Sequence, residues 1–305
     1  MKKILIILSS ILVGIFVILS LLDRNGEYNA EKMIWKANQK FFELAKDPNS
    51  IPDKTFLQLD KQYDLIANRF PNSPLAKKAY VSIARMYLVK KDYQTVRNKV
   101  QIIFKKYPKD AAMGAEAASL IGKSFELSGD WPNALRVYND LMQKYPTTEI
   151  GLNVPLYIAN YYQTNKSAAN AQQAYATAIV YYKKIALDYP NSIIEFKSLG
   201  LLANCYFLKK MWKEGVTALG DLLVKYPSGE FLSFHEIDLL LKTINTISVT
   251  QLKDYDLPIQ IYKNFITQHP KHDLNKLLKK IIQALTDFKN GNIEIKTKND
   301  RTRKQ

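Results

Sequence analysis

Two regimes of hydrophobic and polar positions follow one another along the chain. From Ile4 to Leu22 nineteen residues carry no charge and are diluted only by Ser9, Ser10, Gly14 and Ser20. A helix of that length crosses a bilayer core. Beyond it apolar residues recur three and four apart, the period of amphipathic helices, so an all-α chain is predicted. The pattern stops at one recurring phrase: Phe70-Pro71, Tyr107-Pro108, Tyr145-Pro146, Tyr189-Pro190, Tyr226-Pro227 and His269-Pro270. Proline cannot continue a helix, and the Asn, Ser and Thr residues after several of these pairs suit a fresh N-cap.

A second register sits inside the first. A small residue lies 24 positions before three of the prolines (Ala84, Gly122, Ala203), and Ala159 lies 31 before Pro190. Three residues after each small one stands an aromatic: Tyr87, Phe125, Tyr162 and Tyr206. Nine further on comes a slim residue, Val96, Ala134 or Gly215, whereas Ala178 comes sixteen after Tyr162. The odd unit therefore carries seven extra residues, expected between its two helices within Thr164 to Tyr175. Small residues mark close approach of paired helices and the aromatics fill the gaps beside them. A single pair leaves an apolar face exposed, and stacking in an array buries it.

These positions resemble the tetratricopeptide repeat family. Gly122, Phe125, Ala134, Tyr138, Leu141 and Pro146 fall on its consensus positions, and Ala203, Tyr206, Gly215, Leu219, Leu222 and Pro227 do so again. Outer, more diverged units keep Leu59, Tyr63 and Ile66, and Tyr262 and Phe265. Tyr80 alone supplies the large aromatic near the start of a first helix. The resemblance implies a right-handed superhelical solenoid of about six helix pairs over residues 31 to 285, binding proteins rather than catalysing a reaction. The N-terminal apolar segment and the phrase Phe70-Pro71-Asn72-Ser73-Pro74 are also similar to repeat proteins of bacterial envelopes, among them the repeat subunit of the outer-membrane barrel-assembly machine.

Charge changes the picture only modestly. The net charge is +16, spread over the whole chain, which favours anionic partners without selecting among them. Cys205 is the only cysteine, so no intramolecular disulfide forms, and its place between Ala203 and Tyr206 reads as a small buried hydrophobe. The absence of a cysteine beside the apolar segment excludes a lipoprotein anchor. His269 and His272 form a loose pair, but His269 fills the slot that Phe70, Tyr107, Tyr145, Tyr189 and Tyr226 occupy elsewhere, which makes it a repeat-closing ring rather than a metal ligand. The chain contains no Gly-rich phosphate loop, no H-E-x-x-H and no G-x-S-x-G. No enzyme activity, metal or cofactor is expected.

By the resemblance, the residue after each small first-helix position faces the inner wall. Those residues are Arg85, Lys123, Asn160 and Asn204, with Lys78 and Lys197 one helical stretch away. All are polar and none is acidic, so a ladder of amides and cations could bind an extended peptide or protein partner. Lys2 and Lys3 precede the apolar segment, while Asp23, Arg24 and Glu27 follow it with no positive excess. The positive-inside rule places the N-terminus in the cytoplasm and the body outside, which disfavours nucleic acid. Ser20-Leu21-Leu22-Asp23 is a poor cleavage site, and secretion after cleavage is the alternative. The predicted organisation is an anchor at 1–25, a solenoid at 26–288 and a basic, disordered tail at 289–305.

Overall fold

The computed structural model describes residues 27–47, 52–227 and 231–291, together with Val13 and Gly14. The predicted anchor, apart from those two residues, and the tail beyond residue 291 lie outside the described residues. Among the described residues no helix is long and apolar enough to cross a membrane.

The described chain is helical throughout. Its helices are α1 (Glu27–Ala45), α2 (Asp53–Arg69), α3 (Pro74–Val89), α4 (Tyr93–Lys106), α5 (Ala111–Leu127), α6 (Trp131–Lys144), α7 (Glu149–Thr164), α8 (Ala168–Asp188), α9 (Ile193–Leu208), α10 (Trp212–Lys225), α11 (Phe234–Ile247), α12 (Asp256–Gln268) and α13 (Leu274–Lys289). Taken in order they form six pairs and one closing helix. That last described helix buries Leu274, Leu278 and Leu285 and turns Lys276, Lys279 and Lys280 outward. It runs through Lys289, one residue past the predicted end of the solenoid.

The six aromatic-proline closures share one backbone. Phe70, Tyr107, Tyr145, Tyr189, Tyr226 and His269 are all helix C-caps with φ between −124° and −129° and ψ between 47° and 71°. The residue before proline is pushed out of the helical well, so each helix must end there. Each cap N–H still bonds the carbonyl four residues back, and the helix stops without an orphaned donor.

The turns within the second to fifth pairs are equally regular. Asp92, Asp130, Ser167 and Met211 donate their N–H to the carbonyls of Tyr87, Phe125, Tyr162 and Tyr206, the aromatics of the sequence register. This six-to-one bond requires a left-handed residue just before it. Gly129 supplies that conformation at φ +81°, but Lys91, Lys166 and Lys210 adopt it at +62°, +56° and +59°. In the sixth pair a π turn, Ser248–Leu252, prolongs α11 before Lys253 at φ +55° makes the same reversal.

The seven extra residues fall within the predicted window, but they lengthen a helix rather than the connection. The connection from α7 to α8 is Asn165–Ser167, as short as its counterparts, and α8 itself has 21 residues where α4, α6 and α10 have 14. Seven residues make about two helical turns, so the helix lengthens without rotating its buried face. Ala171 and Tyr175 accordingly repeat Ala178 and Tyr182 one heptad earlier, and all four are buried.

The chain divides into two compact units, 1–154 and 155–305. In the first, α1 packs on α2 and α3, and a continuous core runs from Ala30 through Phe56, Tyr63, Ile83 and Val100 to Leu120. In the second, one cluster joins Leu156 and Ala159 of α7 to α8 and α9, and another joins α10 to α13 around Leu223, Ile244, Tyr262 and Phe265.

Candidate functional site

The first helices of adjacent pairs touch: α1 meets α3, and α3 meets α5. Each keeps one face out of its core. On α3, Lys78 and Arg85 are exposed seven residues apart and so share a face. In the second unit Asn160 is exposed on α7, and Lys197 and Asn204 are exposed seven apart on α9, beside Leu208. Five of the six predicted residues are thus exposed, and Lys123 is half-buried.

Side-chain bonds alter what these residues offer. The Arg85 guanidinium reaches from α3 to Glu116 Oε1 on α5 at 2.8 Å, with the Arg85 side chain still 59% exposed. Lys123 Nζ pairs with Glu126 Oε1 at 2.6 Å, and Glu126 Oε2 accepts the Tyr138 hydroxyl at 2.9 Å. The first unit therefore presents carboxylates beside its cations, Glu126 one turn from Lys123 in the register and Glu116 brought in from the neighbouring helix. Glu116 was missed because it lies on the next helix, and only packing brings it to Arg85. The guanidinium still has several N–H groups directed at solvent, a geometry suited to a carboxylate or main-chain carbonyl. Asn160 Oδ1 accepts the Tyr175 hydroxyl at 2.9 Å, which leaves its amide N–H groups on the outside.

Charged groups elsewhere tie helices together. Asp60 of α2 accepts from Lys99 Nζ of α4 at 2.8 Å and from the Tyr87 hydroxyl of α3 at 3.0 Å. At the turn before α5, a shallow depression of about 610 Å³ is walled by Lys77, Lys106, Tyr107 and Asp110. One of its cations is paired within it: Lys77 bonds Asp110 at 2.7 Å and holds that carboxyl below the usual range. Asp110 also caps α5 through the Met113 N–H. In the second unit Glu195 is 7% exposed and accepts from Lys225 at 2.6 Å, Tyr226 Oη at 2.7 Å and the Asn191 N–H.

His269 and Cys205 are packing groups. The His269 ring lies 4.9 Å from that of Phe265, and its Nε2 is 2.7 Å from the Val224 carbonyl oxygen. His272 Nδ1 accepts the Leu274 N–H at 3.0 Å, which occupies that lone pair. Among the described residues no group of three His, Cys, Asp or Glu side chains is placed to hold a metal ion. Cys205 is fully buried, and burial pushes its thiol up to about 12, where no reactive thiolate forms at neutral pH.

No curated protein matches the chain. A solved structure, the TPR2AB-domain:pHSP90-complex of yeast Sti1, aligns over 86% of this chain and 100% of its own at 12% identity, with a TM-score of 0.32. The family model of the tetratricopeptide repeat matches residues 116–148 and 201–229, which cover most of α5 with all of α6, and the second half of α9 with all of α10. The chain carries tetratricopeptide repeats, built as helix pairs on one recurring backbone.

Proposed function

We propose that this chain is a membrane-tethered repeat scaffold that recruits a protein partner through the exposed faces of its first helices. One observation carries the reading: the repeats consume the buried faces of their helices in their own stacking, while α3, α7 and α9 each keep polar side chains free of the core. The side chains on offer are Arg85 with Glu116, the outer amide of Asn160, and Asn204 with Lys197. Donors outnumber acceptors there, which suits the carbonyls and carboxylates of an extended segment. The apolar run Ile4–Leu22 supplies the tether, with the N-terminus cytoplasmic and the repeats on the far side of an envelope membrane.

A photo-crosslinking residue placed at Arg85 or at Asn204 in cells is expected to capture a discrete protein adduct, while one at Asp140 or Lys184, exposed on second helices, captures none. Adducts from the second helices alone would overturn the assignment of the binding face. Alkaline carbonate extraction tests the tether, and release of the intact chain into the soluble fraction would remove it.

A further inference from the structure

We infer that helix α1 lies flat on the bilayer surface, with Tyr28, Trp35 and Phe42 in the interface; the inference rests on the tether reading. The three aromatics are spaced seven apart, so they form one stripe, and they are 63%, 60% and 66% exposed. On the opposite side of the same helix Ala30, Ile34 and Ala37 are 0%, 7% and 2% exposed and pack into the core of the first unit. Helix α1 is thus apolar on two faces, and the described chain covers only one of them.

Lipid is the occupant that the chain's own layout favours. The apolar run ends at Leu22, six residues before Tyr28, so even a fully extended connection holds the start of α1 within about 20 Å of the membrane. From Tyr28 to Phe42 the stripe covers about 21 Å parallel to that surface. Tyrosine and tryptophan rings, with an apolar body and a polar handle, partition to the headgroup level. Lys32 and Lys46 are exposed on this side and can reach toward phosphates while their stems lie along the apolar layer; Glu31 and Glu43 share the side, and Lys36 lies at its flank. The tether makes the contact intramolecular, so a weak interfacial affinity suffices.

The test uses the full chain reconstituted into vesicles of phosphatidylcholine with a minor share of phosphatidylglycerol, with and without bromine on the acyl chains. Tryptophan stands only at 35, 131 and 212, so the apolar run contributes no signal. Brominated lipid is expected to quench the wild-type chain about twofold more than Trp35→Phe, since an interfacial ring sits within reach of the acyl bromines. Trp35 lies outside the core, and a circular dichroism melt checks that the variant folds. Flotation with the vesicles but equal quenching of the two chains would overturn the inference and leave the tether standing, as would a protein partner occupying the stripe. Failure of the chain to float would remove the tether reading and this inference with it.

Discussion

The hydroxyl of Tyr175 on α8 donates to Oδ1 of Asn160 on α7 at 2.9 Å, tying the second helix of a pair to the face its first helix offers to solvent. The device recurs. Tyr63 donates to Asn38 at 2.7 Å, Tyr138 to Glu126 at 2.9 Å and Tyr262 to Asn245 at 2.8 Å. Each phenol buries its ring in the core and delivers its polar end to the edge, so the aromatic that packs the pair also orients a surface polar group. Tyr175→Phe is expected to cost about 1 kcal/mol, the net worth of one neutral hydrogen bond, measured as a shift in the urea midpoint. Under the proposed function it also frees the Asn160 amide to rotate, and partner capture should weaken.

The left-handed lysines are a reservoir of stability. A side chain at positive φ brings Cβ against the following carbonyl, which glycine avoids. Lys91→Gly, Lys166→Gly and Lys210→Gly should each stabilise the chain by about 0.5–1 kcal/mol, after the entropy cost of glycine in the unfolded state. Thermal melts of the single and triple variants check this, and equal or lower melting temperatures would contradict it.

Glycine is required at 122 for a different reason. A Cβ built there would stand 2.4 Å from Cε1 of Tyr138, a ring held in place by burial and by its bond to Glu126. Gly122→Ala should therefore cost about 1–3 kcal/mol by overpacking, despite the better helix propensity of alanine. Gly215 faces Phe207 at 2.3 Å in the same way and should behave alike. Urea titration is the measurement.

Glu195 makes stability depend on pH. Burial raises its pKa, but the hydrogen bonds from Lys225, Tyr226 and the Asn191 N–H outweigh burial and leave it below the usual carboxylate value. A folded pKa below the unfolded one means that the ionised group stabilises the fold above the unfolded pKa, and that this contribution fades as pH falls through the folded one. Glu195→Gln is expected to lose about 1.5–3 kcal/mol at pH 7, the range for hydrogen bonds to a charged group. The gap to wild type should narrow as pH falls from about 5 toward 3. A gap independent of pH would refute the linkage.

The long helix α8 makes a prediction about register. Removing residues 172–178 joins Ala171 to Ile179 and restores the spacing of Ala134, Tyr138 and Leu141 with Ala171, Tyr182 and Ile185. Seven residues return the helix to within about 20° of its original phase, and two residues turn it by about 200°. The seven-residue deletion should melt cooperatively with full helicity. A deletion of Gln172 and Gln173 alone should not, and circular dichroism decides between the two.

The periodicity of small, aromatic and proline residues determined the helix pairs, their closures at six sites and the place of His269 among those closures. These are local matters: the ring before a proline stops a helix whatever lies beside it. Tertiary structure decided the rest. Seven extra residues read as a loop in a spacing count, because a helix extended by two turns and a longer connection give the same distance between landmarks. The exposed positions on α3, α7 and α9 followed from register alone, yet their chemistry did not. Arg85 meets Glu116 across a helix interface, and Asn160 meets Tyr175, because packing brings together groups that lie 31 and 15 residues apart in the chain.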